Sequence, residues 1–356
     1  MKNSIPITGL DIGSSKISAV TAEIDKSGAF NIVAQATHPA SGIARGAIVD
    51  INEAVRSISG TFSRLKKKLS SGMGDIYANI SGDTVKGTVS KGMIPISLRG
   101  REVTKADIAR CVDAASTVFL PFDREIIHRI VHRFSVDNEP PVKSPLGLYA
   151  SRLECEAYII TAGVSHIQNI YKCVSNAGYD VKEVVFSGIA DGVSLLDKDN
   201  RKGALIIVGM GSSLTEICSF IDGTPIDIDV LLSGAEDYKS GFRESAHFSD
   251  IVTEIRKKLD SLSRSPGNVE SVILTGVGSF GDGIAEYMEE QIARSVKMGV
   301  VKDVRGALST ADSVMLSTAI GLAKYANEKR VNKFLERGNI TSRISTAVVD
   351  LFNSYF

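Results

Sequence analysis

The sequence predicts an α/β protein built as two duplicated lobes, with a small α/β insert in the first. Three observations carry that expectation. A buried strand runs into a small-residue loop twice, at Gly9-Leu10-Asp11-Ile12-Gly13-Ser14-Ser15-Lys16 and at Ile207-Val208-Gly209-Met210-Gly211-Ser212-Ser213. Each loop is followed by a second strand, a glycine turn and a third strand, and this shared order marks an internal repeat. Within the first lobe the character changes over 87–161, where a Pro-rich loop at 139–147 separates strands with their own turn chemistry.

Lobe 1 (residues 1–86 and 162–202) opens with strands over 7–12, 17–23 and 30–37, an antiparallel meander turning at Lys26-Ser27-Gly28. A helix follows over 52–69, with Ala54, Val55, Ile58, Phe62, Leu65 and Leu69 on one face and the basic Arg64, Lys66, Lys67 and Lys68 solvated. Asp50 and Glu53 fit helix capping. A strand over 75–81 leads to the insert, which holds a strand at 92–96, a capped helix from Thr104 to about Val118, and strands over 125–137 and 152–161. Lobe 1 resumes with a helix over 165–177 that stops at Gly178, then a strand over 181–186. Lobe 2 (203–328) repeats the meander through 214–221 and 224–232, with a turn at Asp222-Gly223. Helices over 248–263, 283–293 and 315–329 complete it, and a polar linker (329–341) leads to an amphipathic helix at 342–356.

A chain of 356 residues is long enough for two domains. Hydrophobic residues at 43% and charged ones at 23% describe an ordinary soluble globular protein. The formal net charge is zero, so nothing global argues for a nucleic-acid partner. Cys111, Cys155, Cys173 and Cys218 lack C-x-x-C spacing and read as buried thiols of a reducing compartment. No secretory leader and no bilayer-length apolar run is expected. His38, His128, His132, His166 and His247 share no ligand spacing, so no metal site is assigned to them.

The first loop has the residue types that wrap backbone around a phosphate. Gly13 permits close approach, N–H groups and the hydroxyls of Ser14 and Ser15 can donate to phosphate oxygens, and Asp11 at the strand end can hold a metal-bound water beside Lys16. An acid, a glycine and small residues also make ordinary hairpin turns, so the loop alone does not settle the matter. The second loop offers Gly209, Gly211, Ser212 and Ser213, and a third turn offers Gly276, Val277, Gly278 and Ser279. One loop from each lobe facing a shared cleft follows from the duplication. Phosphate groups are the ligand chemistry these loops suit.

Two phosphate-type loops and a late T-G-x-G-S turn resemble the actin, heat-shock ATPase and sugar-kinase superfamily, whose lobes are actin-like and RNase H-like. The resemblance narrows to the bacterial FtsA family on six ordered blocks. These are the first loop, Gly42-Ile43 with Arg45-Gly46 and Asp50, and Gly92-Met93-Ile94-Pro95-Ile96-Ser97 before Glu102-Val103-Thr104. The others are Ile127-His128 with Phe134-Ser135-Val136-Asp137, Lys143-Ser144-Pro145-Leu146-Gly147-Leu148, and Phe186-Ser187-Gly188-Ile189-Ala190. The resemblance implies that the insert is the subdomain called 1C, which serves polymerisation and contacts to late division proteins. It also implies filaments of the chain itself, FtsZ as a partner, and a place on the cytoplasmic face of the inner membrane at the division site.

Two departures qualify those expectations. Family members read strand-D-I-G-G-G-T-x-D at the second loop; here Gly209 stands in the place of the first acid, Leu214 in that of the hydroxyl and Glu216 in that of the second acid. The lost carboxylate and hydroxyl predict a degenerate site without robust turnover, with Ser213 or Thr215 as substitutes if the turn is shifted. Fewer than forty residues separate Asp237 from Thr275, where the family places subdomain 2B, which walls the adenine and receives the FtsZ tail. Subdomain 2B is therefore expected to be largely missing, which puts both the ATP and magnesium that the resemblance implies as cofactors and FtsZ binding in question.

In the tail, Ile344, Val348, Phe352 and Phe356 recur every four residues, flanked by Leu351 and Tyr355. With Arg343 and the basic residues upstream, each contributing about 1 kcal/mol near anionic headgroups, this stretch suits an interfacial anchor. Docking on the protein's own core is the competing reading. The expected function is an FtsA-like adaptor that polymerises at the membrane and tethers division machinery; an active actin-like ATPase and a PilM-like scaffold of a pilus or secretion machine are the alternatives.

Overall fold

The structure is a computed structural model and describes residues 6–25, 28–196, 202–263, 269–306 and 308–337. Lobe 1 begins with β1 (Ile7–Ile12), β2 (Lys16–Ile24) and β3 (Phe30–Pro39), paired antiparallel as a meander. A two-stranded ribbon, β4 (Ile43–Ala44) and β5 (Ala47–Ile48), leads into α1 (Ile51–Lys66), where the Asp50 carboxylate accepts the Glu53 N–H at 2.9 Å. β6 (Asp75–Ile80) then lies parallel to β1.

The insert comprises β7 (Lys86–Pro95), β8 (Arg101–Glu102), α2 (Lys105–Ser116), β9 (Arg124–Val136), β10 (Tyr149–Ala150) and β11 (Arg152–Gly163). α2 starts at the Thr104 cap the sequence predicts, and the structure completes it as a capping box in which Asp107 also pairs with Arg101 and Arg110. The chain returns through α3 (Val164–Asn176) and β12 (Val181–Phe186) into α4 (Ser187–Leu195). All nine residues of α4 are buried, so it carries no amphipathic period and the sequence reading does not find it.

Lobe 2 repeats the plan with β13 (Ala204–Met210), β14 (Thr215–Ile221), β15 (Thr224–Leu231), the single turn α5 (Ala235–Tyr238), α6 (Ala246–Ser263) and β16 (Val269–Thr275). After a 3-10 turn at Val277–Phe280 come α7 (Ile284–Ile292), β17 (Ser295–Met298), α8 (Thr310–Met315) and α9 (Ser317–Arg337). The sheets run β3-β2-β1-β6-β12 and β15-β14-β13-β16-β17. In both, an antiparallel hairpin pair continues into two parallel strands, so the duplication extends to strand order and direction.

Buried apolar side chains form three clusters: one in lobe 1 that reaches α4 and α9, one in lobe 2, and one inside the insert. The insert also docks on lobe 2. The Tyr158 hydroxyl accepts the Ile228 N–H at 3.0 Å, and His132 Nε2 donates to the Pro225 carbonyl at 3.0 Å while stacking on Tyr158 at 5.8 Å.

α9 corrects the expected linker. It continues to Arg337, because Lys329 to Arg337 contains no glycine or proline and is rich in helix-forming Lys, Leu, Glu and Arg; Gly338 is the first breaker. Lys329 holds the Glu183 carboxylate at 2.6 Å, which ties α9 to β12. Residues 342–356, including Arg343, Ile344, Val348, Leu351, Phe352, Tyr355 and Phe356, lie outside the described residues. Among the described residues no helix is long and apolar enough to cross a membrane.

Candidate functional site: the cleft between the lobes

The C-terminal ends of β1 and β13 aim their loops at one cleft. Asp11, Gly13, Ser14, Ser15 and Lys16 line it from lobe 1, and Gly209, Gly211, Ser212, Ser213, Gly276 and Val277 line it from lobe 2. Gly278 and Ser279 do not line it: the Ser279 hydroxyl turns back to the Gly276 carbonyl at 2.7 Å and caps its own turn. The cleft is open on one side, and its inner volume is about 110 Å³, below the roughly 300 Å³ at which small-molecule pockets begin. That is room for phosphate groups more than for a whole nucleoside.

The floor is a polar network that crosses between lobes. The Asn79 amide donates to Asp11 Oδ1 at 2.9 Å and to the Ser187 hydroxyl at 3.1 Å, and its carbonyl accepts the Ile12 N–H at 2.6 Å. Ser81, from lobe 1, donates to Glu216 Oε1 of lobe 2. Asp191 on α4 accepts from the Ser317 and Thr318 hydroxyls at the start of α9, each at 2.9 Å. Lys16 Nζ donates to the Met315 carbonyl at 2.9 Å, so this cation is tied to the end of α8.

Sequence reading does not assign Asn79, Ser81, Asp191, Ser317 and Thr318 to the site. Asp191 is legible in principle, as the one charged residue in a helix of small and apolar residues; the others sit at strand and helix ends without a motif. Glu216 pairs with Gly209 across β13 and β14, which puts it opposite the missing acid. A Cβ at position 209 would stand 3.4 Å from Asp191 Oδ2 and 3.5 Å from Glu216 Oε2. Of the two substitute hydroxyls, Thr215 is committed to the Ser233 carbonyl at 2.7 Å, whereas Ser213 lines the cleft.

Burial pushes all three carboxyls up. Asp11 is raised to about 6 against the pull of Lys16, Asp191 to about 7 against its two hydroxyl donors, and Glu216 to about 8 with Asp191 and Asp11 adding to the rise. The folded state thus holds protons that the unfolded chain releases near pH 4, and the associated stability is lost as pH rises through 7 and 8. Buried His128, lowered to about 3, acts oppositely, but only up to the ordinary histidine value near 6.5. Urea denaturation at pH 6.5 and 8 should therefore show a fall on the order of 1–2 kcal/mol, at about 1.4 kcal/mol per pKa unit. Glu216→Gln, which keeps an acceptor for Ser81, should flatten the fall; an equal fall in wild type and variant would refute this assignment.

Two copies of a strand-loop-strand unit facing one cleft, with α4 and α9 crossing beneath it, define an actin-like protein. Solved structures share that fold: the PilM-PilN type IV pilus biogenesis complex (TM-score 0.66, 13% identity, 89% of this chain and 97% of that one) and MreB 5 of Spiroplasma citri bound to AMPPNP (0.50, 10%, 95% and 100%). Residues 82–161 match the SHS2 domain inserted in FTSA. Cell division protein FtsA of Borreliella burgdorferi is 28% identical over 95% of this chain and 94% of its own length, and that of Pseudomonas aeruginosa 27% over 91% and 90%. The protein thus has an actin-like fold and resembles cell division protein FtsA over nine-tenths or more of its length, and its insert matches the SHS2 domain. The B. burgdorferi alignment spans 391 positions, more than the 356 residues of this chain, so that relative carries residues missing here.

Proposed function

We propose that this protein polymerises on the cytoplasmic face of the inner membrane at the division site and there tethers and organises division proteins. The observation that carries the proposal is the SHS2 domain at 82–161 set within a duplicated actin-like frame. In this reading the SHS2 domain supplies contacts to division proteins and to the next copy in a filament. The tail from Arg343 to Phe356 supplies membrane affinity, which one short amphipathic helix provides only weakly and an array of copies multiplies.

The cleft is then a reduced nucleotide site that receives ATP and magnesium without robust turnover. Gly209 and Leu214 have lost the ligand groups, and the inner volume of the cleft is small. Subdomain 2B is read as reduced to residues 232–245, which hold only the single turn α5 before α6 begins; this counts against FtsZ docking in the family manner. A PilM-like scaffold is the second reading, and the 0.66 TM-score to the PilM-PilN complex favours it as a fold.

Sedimentation with anionic phosphatidylglycerol vesicles tests the membrane half. The full chain should pellet and a chain ending at residue 341 should not; equal pelleting of both would remove the tail from the mechanism. Midcell bands of a fluorescent fusion separate the division role from a scaffold at pilus sites.

A further inference from the structure

The β4–β5 ribbon carries its turn, Arg45-Gly46, over the mouth of the cleft and contacts both phosphate-type loops at once. The Arg45 N–H donates to the Ser213 hydroxyl of lobe 2 at 3.2 Å, and the Gly46 N–H donates to the Ser14 hydroxyl of lobe 1 at a longer 3.4 Å. A serine oxygen that accepts an N–H keeps its own proton to give elsewhere. Neither Ser14 nor Ser213 donates to any described residue, so both hydroxyl protons are left for whatever enters the cleft.

The turn is held firmly. His166 bridges the Gly46 carbonyl, at 2.7 Å, and the Thr84 hydroxyl, at 2.9 Å. Leu214 packs beneath it, its Cδ2 3.0 Å from where a Gly46 Cβ would sit. Arg45 adopts φ +49°, a left-handed conformation unusual for a non-glycine residue and one that collects at functional sites. Its guanidinium is exposed and has no ion pair or hydrogen bond with any described residue. Gly46 of this turn lines the cleft, Lys16, the cation in the lining, is committed to Met315, and Asp11, Asp191 and Glu216 give the floor acidic character.

We propose that the Arg45-Gly46 turn is a third phosphate-binding element, in which Arg45 clamps the distal phosphates of a polyphosphate ligand from the lip of the cleft. The exchange of a hydroxyl residue for Leu214 then acquires a reason. A donor to the ligand is lost from the second loop, and the apolar side chain that replaces it seats a cationic turn able to bind the same anion. An arginine fork suits that role, because its planar donors match phosphate oxygens pairwise. The inference rests on the reading that the cleft still receives phosphate groups, and the test separates the two.

Displacement of a fluorescent ATP analogue from the full-length protein, with magnesium, by ATP, tripolyphosphate and adenosine reads the anion contribution directly. Arg45→Ala should weaken ATP and tripolyphosphate about tenfold, with no change for adenosine or in the ligand-free melting temperature, and Arg45→Lys should recover part of the loss. Unchanged tripolyphosphate affinity in Arg45→Ala overturns the clamp while leaving the cleft as a phosphate site. Equal weakening of adenosine overturns it in favour of a structural role. Failure of wild type to bind either phosphate compound overturns both readings.

Discussion

Gly321→Ala should lower the melting temperature and the soluble yield sharply. α9 crosses α4 so closely that a Cβ at 321 would lie 1.9 Å from the Ala190 carbonyl oxygen, and on its β1 side a Cβ at Gly9 would lie 2.0 Å from the Ala319 carbonyl oxygen. Both obstacles are backbone atoms of packed elements, so no rotamer change relieves them. The helix must move outward, which costs about 3 kcal/mol or more by the overpacking scale, out of the roughly 5–15 kcal/mol that typical domains possess. The same movement withdraws Ser317 and Thr318 from Asp191. Thermal melts and soluble yield check this against Gly72→Ala, where nothing lies within 4 Å of the added atom. A Gly321→Ala protein melting with wild type would show that the helices do not meet as described.

Restoring the acid at position 209 should hurt before it helps. Gly209→Asp adds a third buried carboxyl beside Asp191 and Glu216, both already pushed up by burial. Without a cation the newcomer either stays protonated or repels its neighbours, and a loss of about 2–4 kcal/mol is expected at pH 8. The loss should shrink at pH 6, where the neighbours are protonated, and shrink again with magnesium and ATP if the restored carboxylate regains a ligand. Denaturation at both pH values, with and without magnesium-ATP, reads all three. An unperturbed stability at pH 8 would mean that the carboxyls are better hydrated than their burial implies.

Most of the frame was legible because its signals are local. The meanders, the glycine turns and the Thr104 cap each fix geometry within a few residues, and the repeat of the first meander at 203–232 betrays the second lobe. Signals that depend on tertiary company were not legible. α4 is buried on every side and shows no period, whereas α9 overran its expected end because nothing before Gly338 breaks it. At the site, the two loops could be read from small residues after apolar strands. Asn79, Ser81 and Asp191 could not, since only the approach of separate elements brings them to the floor. Val277-Gly278-Ser279 shows the converse: Val277 reaches the cleft, and the two residues after it fold back.

Because the SHS2 domain leaves lobe 1 between β6 and α3 yet hydrogen-bonds to β15 of lobe 2, it is a strut as well as a passenger. Cutting it out and closing the chain would strip Tyr158 from the Ile228 N–H and expose an outer strand with an unpaired donor, the kind of edge that recruits foreign strands. Domain exchange among relatives should therefore succeed only when β15 travels with the insert. A chimera assembled without that strand is expected to aggregate through lobe 2, though its transplanted half is intact.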